Sequence, residues 1–206
     1  MKLDKNTIVA AALELLDAVG IDGLSTRALA QTLGVQQPAL YWHFRNKRAL
    51  LEAMNSEILR RHHTYREPRP GQDWRDFLRE NALSFRRALL SHRDGARVHA
   101  GTEAEPEDLE QLQRMMVFMK DLGFAPSDVM SVSIAIGRYI VGCVLEEQSE
   151  PPPAENVAAL DETVKAYPEL AEGLRLYRDS PAEVHFLAGL DLVIAGFAAK
   201  AARTVN

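Results

Sequence analysis

Cysteine is almost absent: one thiol, Cys143, stands among 206 residues. No internal disulfide can form, and its place in an apolar stretch reads as a buried structural thiol. Long hydrophobic runs are missing too, since no unbroken apolar segment approaches the ~18 residues that a membrane span needs. The opening MKLDKNTIVAAALELLDAVG is amphipathic with acids inside it, unlike a secretory signal, so a cytoplasmic protein with no membrane partner is expected. Sustained period-two alternation, the mark of half-buried strands, occurs nowhere, which leaves an all-α fold. The chain also lacks a nucleophile motif, a paired metal-ligand spacing, a glycine-rich phosphate loop and any internal repeat. An enzyme using His63, His99 and Glu146 around a metal is therefore a distant alternative.

What is present has ordinary globular composition, 47% apolar and 26% charged, enough for one or two compact domains. The charge is divided unevenly. Residues 1–50 carry six lysines and arginines against four acids, a net +2, so the rest carries −7 to give the total of −5. A basic head on an acidic body fits a protein of which only the head approaches a polyanion. Apolar residues at helical spacing from Ile8 to Val19, with Asp4 and Asn6 available as caps and Gly20 as the stop, predict a first helix. Short helices are predicted over 26–33 and 37–44, the second with Pro38 in its first turn, where a missing N–H costs nothing. Asn46 caps a long helix over 47–63. After the proline-rich linker 66–73, helices are predicted over 74–92, 95–99, 106–122, 128–148 and 182–200, with a mobile loop at SEPPPAEN. Gly189 and Gly196 fall on one face of the last helix and would let another helix come close.

The stretch PALYWHFRNKR, residues 38–48, sets Tyr41, Trp42 and His43 side by side against a cluster of cations. Ala30, four residues before Gly34, lets two short helices cross closely, and the glycine permits the turn between them. Leu29, Leu33, Val35 and Leu40 fill the shared core, which completes a helix-turn-helix. The second helix of such a unit enters the major groove with its N-terminal residues against base edges. Gln37 is then placed for a bidentate contact to a base edge, and Pro38 and Ala39 for a thymine methyl. Tyr41 and His43 come within reach of phosphates, and Trp42 packs on the sugar-phosphate backbone and the first helix. Thr26, Arg27 and Lys47 sit at helix N-termini, where amides and the dipole favour a phosphate. From the residues alone a second account stays open, in which Tyr41 and Trp42 close a small core and the cations form a solvated face.

Further along, an apolar stripe runs through Trp74, Phe77, Leu78, Ala82, Phe85 and Leu89, with Asn81 on its edge. A buried amide needs partners, and a hydrogen bond to a neighbouring helix would serve. His63 ends the linking helix. His99, taken alone, reads as structural more readily than as a metal ligand.

The segment GIDGLSTRALAQTLGVQQPALYWHFRNKRALL resembles the DNA-binding domain of the TetR family of repressors, and within it the tetracycline repressor branch. The likeness continues through FLRENALSFRRALLSHRDGARVHAGT, GCVLEEQ and FLAGLDLVIAGF, and lapses mainly over 103–120 and 149–166. It implies a transcriptional repressor: a homodimer on palindromic double-stranded operator DNA that leaves when a tetracycline-type inducer binds with Mg2+. By the same resemblance His63, Asn81 and Phe85 grip the drug's polar edge, His99 and Thr102 sit at the magnesium, and Glu146 reaches a magnesium-bound water from the other subunit. Mg2+ prefers a mostly oxygen shell and keeps waters, so one imidazole plus a ligand keto-enolate suits it, and an outer carboxylate orients such a water. Departures from the branch concern the ligand. Glu103 stands where it has an arginine, Ala104 where it has a proline, and Met115 where a glutamine touches the drug; Arg138 lies on a pocket-lining helix. Met115 and Arg138 are assigned to the pocket, and a different polycyclic or aromatic metabolite is the alternative inducer. Glu103 is expected to pair with Arg178 across the dimer. A DNA-binding head, 1–46, and a ligand-binding and dimerisation core, 47–206, are expected to meet at the linking helix 47–63.

Overall fold

The computed structural model describes the backbone of residues 3–102 and 106–204, and the side chains of 3–102 and 109–200. Among these residues there are eleven helices and no strand. Helix α1 (Lys5–Gly23) opens on Asp4, whose carboxylate accepts from the Thr7 amide at 2.8 Å, and it buries Ile8, Ala12, Leu13 and Leu16. The chain bends at Gly20, the predicted stop, and then adds a last turn. Ser25 caps α2 (Thr26–Leu33). That helix ends in a Schellman turn: Gly34, at φ 67°, donates to Gln31 O, and Val35 donates to Ala30 O at 3.0 Å. A left-handed residue is needed to aim the chain into α3 (Pro38–Tyr41), and glycine adopts it without a Cβ penalty. The predicted 37–44 helix is shortened to one turn, followed by bonded turns that bring Phe44 N to Leu40 O at 2.9 Å. Leu29, Leu40, Phe44 and Leu50 close the head's core beside α1. Helix α4 (Lys47–His62), capped by Asn46, packs on α1 at its start and on the core helices further along.

The core is built on α5 (Trp74–Leu90), α8 (Pro126–Glu147) and α11 (Ala182–Thr204), packed about Phe77, Leu89, Ile140, Phe186 and Leu190, with the short α6 (Gly95–Ala100) and α7 (Pro106–Asp121) alongside. Arg86, only 5% exposed, lies inside the seam. Its guanidinium donates to Glu147 through Nε at 3.1 Å and Nη2 at 2.5 Å, and Nη1 is 3.4 Å from Glu183. Gly189 permits the closest approach: a Cβ there would meet the Tyr139 hydroxyl at 2.2 Å, and that hydroxyl donates to Phe186 O at 2.9 Å. Gly196, by contrast, faces open space. Cys143 is half-buried beside Tyr139, and burial pushes its thiol up, away from thiolate.

Two helices of the described chain were not anticipated, α9 (Ala154–Val164) and α10 (Pro168–Arg178). They pack on each other while Leu160, Leu170, Leu176 and Tyr177 stay exposed, so no stripe facing a core marks them in the sequence. Helix α9 begins inside the stretch expected to be a mobile loop. Arg178 is ion-paired with Asp161 of the same chain, while Glu103 and Ala104 lie outside the described residues. Helices α8 and α11 are long and apolar enough, by length and composition, to cross a membrane, with mean hydropathy 1.6 and 1.5. Neither holds an unbroken apolar run, since Arg138 and Asp191 interrupt them; both are principal helices of the core.

Candidate ligand cavity and reading head

A cavity of about 420 Å³, the size of a small-molecule site, opens among α4, α5, α6, α7 and α8. Leu59, Leu78, Leu112, Ile136 and Ile140 supply apolar wall. Six side chains assigned to the pocket from the sequence line it together: His63, Asn81, Phe85, His99, Thr102 and Met115. Arg138 does not. It is exposed on α8, about 100° round the helix from Gly137, which does face the cavity. Glu146 is likewise exposed and borders a separate cleft with Tyr139, Cys143 and Tyr177, away from the cavity of its own chain.

The polar groups are held in defined states. His63 caps the C-terminus of α4, with Nδ1 3.0 Å from Ser84 Oγ, which accepts from the Tyr65 amide at 2.9 Å. Ser84 is wholly buried, so its hydroxyl hydrogen goes to His63 Nδ1, and the imidazole's own proton sits on Nε2. Burial, and then the nearby Arg66 and Arg87 cations, depress the pKa of His63 to about 3, which keeps it a neutral donor. Asn81 gives Nδ2 to Tyr65 O at 2.9 Å, leaving Oδ1 as its accepting end. The Phe85 ring stands between the two imidazoles, with centroids 5.5 Å from His63 and 5.0 Å from His99. His99 Nδ1 lies 3.1 Å from Asn55 Oδ1 on α4, and the Thr102 hydroxyl donates to His99 O at 2.8 Å. No group of three or more His, Cys, Asp or Glu that could hold a metal occurs among the described residues. Among the described residues, His99 is the cavity imidazole left after His63 is committed to Ser84, and such a donor would suit Mg2+ in the company of oxygens from a ligand and water.

Sequence reasoning missed Asn55, Arg66 and Gln111, which also line the cavity. Asn55 was the detectable one, an amide set among the buried Met54, Ile58 and Leu59. It also missed how the core grips the head. Asp94, at φ 57°, takes the Ile21 amide on Oδ2 at 2.8 Å. Arg97 holds Asp22 through two bonds of 2.9 Å, which keep that carboxyl below its usual range. Asp17 meets His92 Nδ1 at 2.8 Å and the Arg93 amide at 2.9 Å. The six-residue α6 therefore carries His99 at its cavity end and Arg97 and the preceding Asp94 at the head.

On the head, Thr26 and Lys47 are the first residues of α2 and α4, as expected. Gln37 donates from Nε2 to Thr26 Oγ1 at 2.9 Å and to the Tyr41 hydroxyl at 3.3 Å, so the amide is oriented beforehand. Arg27, Pro38, Tyr41, Trp42 and Lys47 are exposed, while Ala39 and His43 are half-buried. Trp42 is 89% exposed and does not pack on the first helix. The turn after Tyr41 sends Leu40 and Phe44 inward and Trp42 out, which also removes the account in which the aromatics close a core.

A helix-turn-helix head bonded to a core with a ligand-sized cavity defines a ligand-responsive DNA-binding protein. Residues 8–54 match the family of bacterial regulatory proteins called tetR, and residues 67–201 match the tetracyclin repressor-like C-terminal domain. The class D tetracycline repressor protein of Escherichia coli is 45% identical over 95% of this chain and 89% of its own. The crystal structure of TetR from Acinetobacter baumannii AYE superposes with a TM-score of 0.80 at 44% identity, over 97% of this chain and 99% of that one. A class A TetR in complex with 5a,6-anhydrotetracycline and magnesium gives 0.74 at 40% identity, over 95% and 98%. The chain belongs to the TetR family of transcriptional regulators.

Proposed function

We propose that the chain is a cytoplasmic repressor, not an enzyme, that binds a palindromic operator as a homodimer and is released by a tetracycline-type drug with Mg2+. One observation carries this reading: His63, Asn81, Phe85, His99 and Thr102 converge on one cavity, and the helix bearing His99 is bonded at its other end to the head. In the head, residues 1–46, Gln37, Pro38 and Ala39 meet base edges; Thr26, Arg27, Tyr41, Trp42, His43 and Lys47 meet the backbone. In the core, residues 47–206, His63 donates from Nε2 and Asn81 accepts on Oδ1, which suits a ligand edge carrying alternate carbonyl and hydroxyl groups. His99, with Glu146 of the partner subunit, would hold Mg2+ together with ligand and water oxygens, and the ion would supply Lewis-acid attraction for an anionic ligand edge.

Dimerisation is assigned to the outer faces of α8 and α11, where Ile134, Val184 and Leu192 are exposed and Gly196 leaves room for a facing helix. Two heads must then stand ~34–36 Å apart to meet successive major grooves. A ligand that draws α6 inward moves Asp94 and Arg97, and with them the end of α1, so the spacing fails. Complete reversal of a 1:99 population needs about 5.5 kcal/mol of preference for the released state. The test is a gel shift on the inverted repeat beside the protein's own gene, titrated with tetracycline in the presence and absence of Mg2+. Loss of the shifted band only with both present supports the reading; a band that persists at saturating drug and metal defeats it. Met115 and Arg66 on the cavity wall favour a second reading, in which another polycyclic or aromatic metabolite is the inducer. Calorimetry with tetracycline separates the two.

A further inference from the structure

We infer that Gln148 is a positioning residue: it fastens the turn that carries the head to the end of α8, so that a pull on α6 rotates that helix about its first residues instead of dragging the turn away. The placement of the head follows from the bonds themselves; its effect on DNA rests on the repressor reading above.

Gln148 follows the last residue of α8 and is half-buried. Its Nε2 donates to His92 O at 2.7 Å and to Leu89 O at 3.3 Å, and its Oε1 accepts from the Ala96 amide at 3.4 Å. Carbonyl oxygens only accept and a backbone amide only donates, so the side-chain amide has a single orientation. One residue thereby joins the end of α5, the turn after it and the start of α6. The bond to Ala96 does a second job. Asp94 stands at the N-cap of α6 but makes no cap bond, its carboxylate being turned to the Ile21 amide and to Arg97. Gln148 satisfies a first-turn N–H in its place, from another helix. The turn itself is tight: the Gly95 amide donates to His92 O at 3.2 Å, and a Cβ on Gly95 would meet Leu89 O at 2.0 Å.

The bonds to the head leave from this turn and from α6: His92 and the Arg93 amide reach Asp17, Asp94 reaches Ile21, and Arg97 reaches Asp22. Beside them lies a cleft of about 470 Å³, lined by Val19 and Gly20 from the head and by Leu145 and Gln148 from the core. An open cleft offers little packing, so the head is placed here by its bonds, and those bonds are only as fixed as the turn they leave. Gln148 ties that turn to α8, whose outer face is assigned to the partner copy. A draw on the cavity end of α6 then swings Asp94 and Arg97 about a held point.

The test begins with amide hydrogen exchange of the full chain, free of drug and DNA. Gln148→Leu should speed exchange of the Ile21 amide about tenfold while the amide of Ile140, inside α8, exchanges as in wild type. The near-isosteric Gln148→Glu cannot donate to the two carbonyls and should loosen Ile21 as well. In gel shifts without drug, Gln148→Leu should bind the inverted repeat about tenfold more weakly, while calorimetry with tetracycline and Mg2+ on the DNA-free variant gives near-normal binding. Ile21 exchange that stays at the wild-type rate in both variants, or that rises only in step with Ile140, overturns the inference; so does wild-type operator affinity in Gln148→Leu. The exchange measurement needs neither drug nor DNA, so failure of tetracycline to release the wild-type protein would count against the inducer reading alone.

Discussion

His63 is buried neutral, and that has a thermodynamic sign. Its folded-state pKa of about 3 lies below the ordinary 6.5, so the unfolded chain takes up the proton first. Burying the neutral ring contributes stability in full above pH 6.5, and the contribution is lost as pH falls from there toward about 3. Urea unfolding of wild type and His63→Gln at pH about 7 and about 4.5 should give a wild-type loss on acidification that the variant shares less; parallel losses would mean the ring is already charged. What was legible at this scale came from local patterns. Gln37 could be read from its place at the start of the second helix of a helix-turn-helix, and His63 from the family resemblance. The partners of the cavity imidazoles could not: Ser84 lies 21 residues from His63, and Asn55 lies 44 from His99. Arg138 illustrates the converse, a residue on the right helix whose bearing no pattern revealed.

Helix α6 is the element whose ends do different things, and its grip on α1 can be loosened without touching the cavity. Asp94→Gly keeps a residue at home at φ 57° but removes the carboxylate that holds the Ile21 amide. Calorimetry on the DNA-free variant should give near-normal inducer binding, while operator release should need about fivefold more inducer or worse, the low end of ordinary coupling energies. Equal losses in both assays would show a damaged cavity instead. The Arg86 seam between α5, α8 and α11 is structural: Arg86→Ala removes its charged hydrogen bonds to Glu147 and should cost about 1.5–3 kcal/mol in urea unfolding. Most elements could be read from caps and spacing, as with Asp4 and Asn46. The third helix was overextended because aromatic Trp42 and His43 prolong its pattern after the backbone has turned. Helices α9 and α10 escaped notice because Leu160, Leu170 and Leu176 have no core in their own chain to face.

For the whole molecule, the outer faces of α8 and α11 matter most. Gly196→Glu places a charge where the proposed dimer brings a facing helix close, and light scattering should find monomers that no longer hold DNA; dimers with normal operator affinity would move the interface elsewhere. Leu192, 76% exposed, and its apolar neighbours are the surface that the proposed dimer would cover. In the proposed dimer, pairing depends on the number of chains made. If the heads pair only through these faces, paired repressor falls faster than chain number wherever synthesis leaves most chains unpaired, and gene dosage becomes a second dial on the promoter.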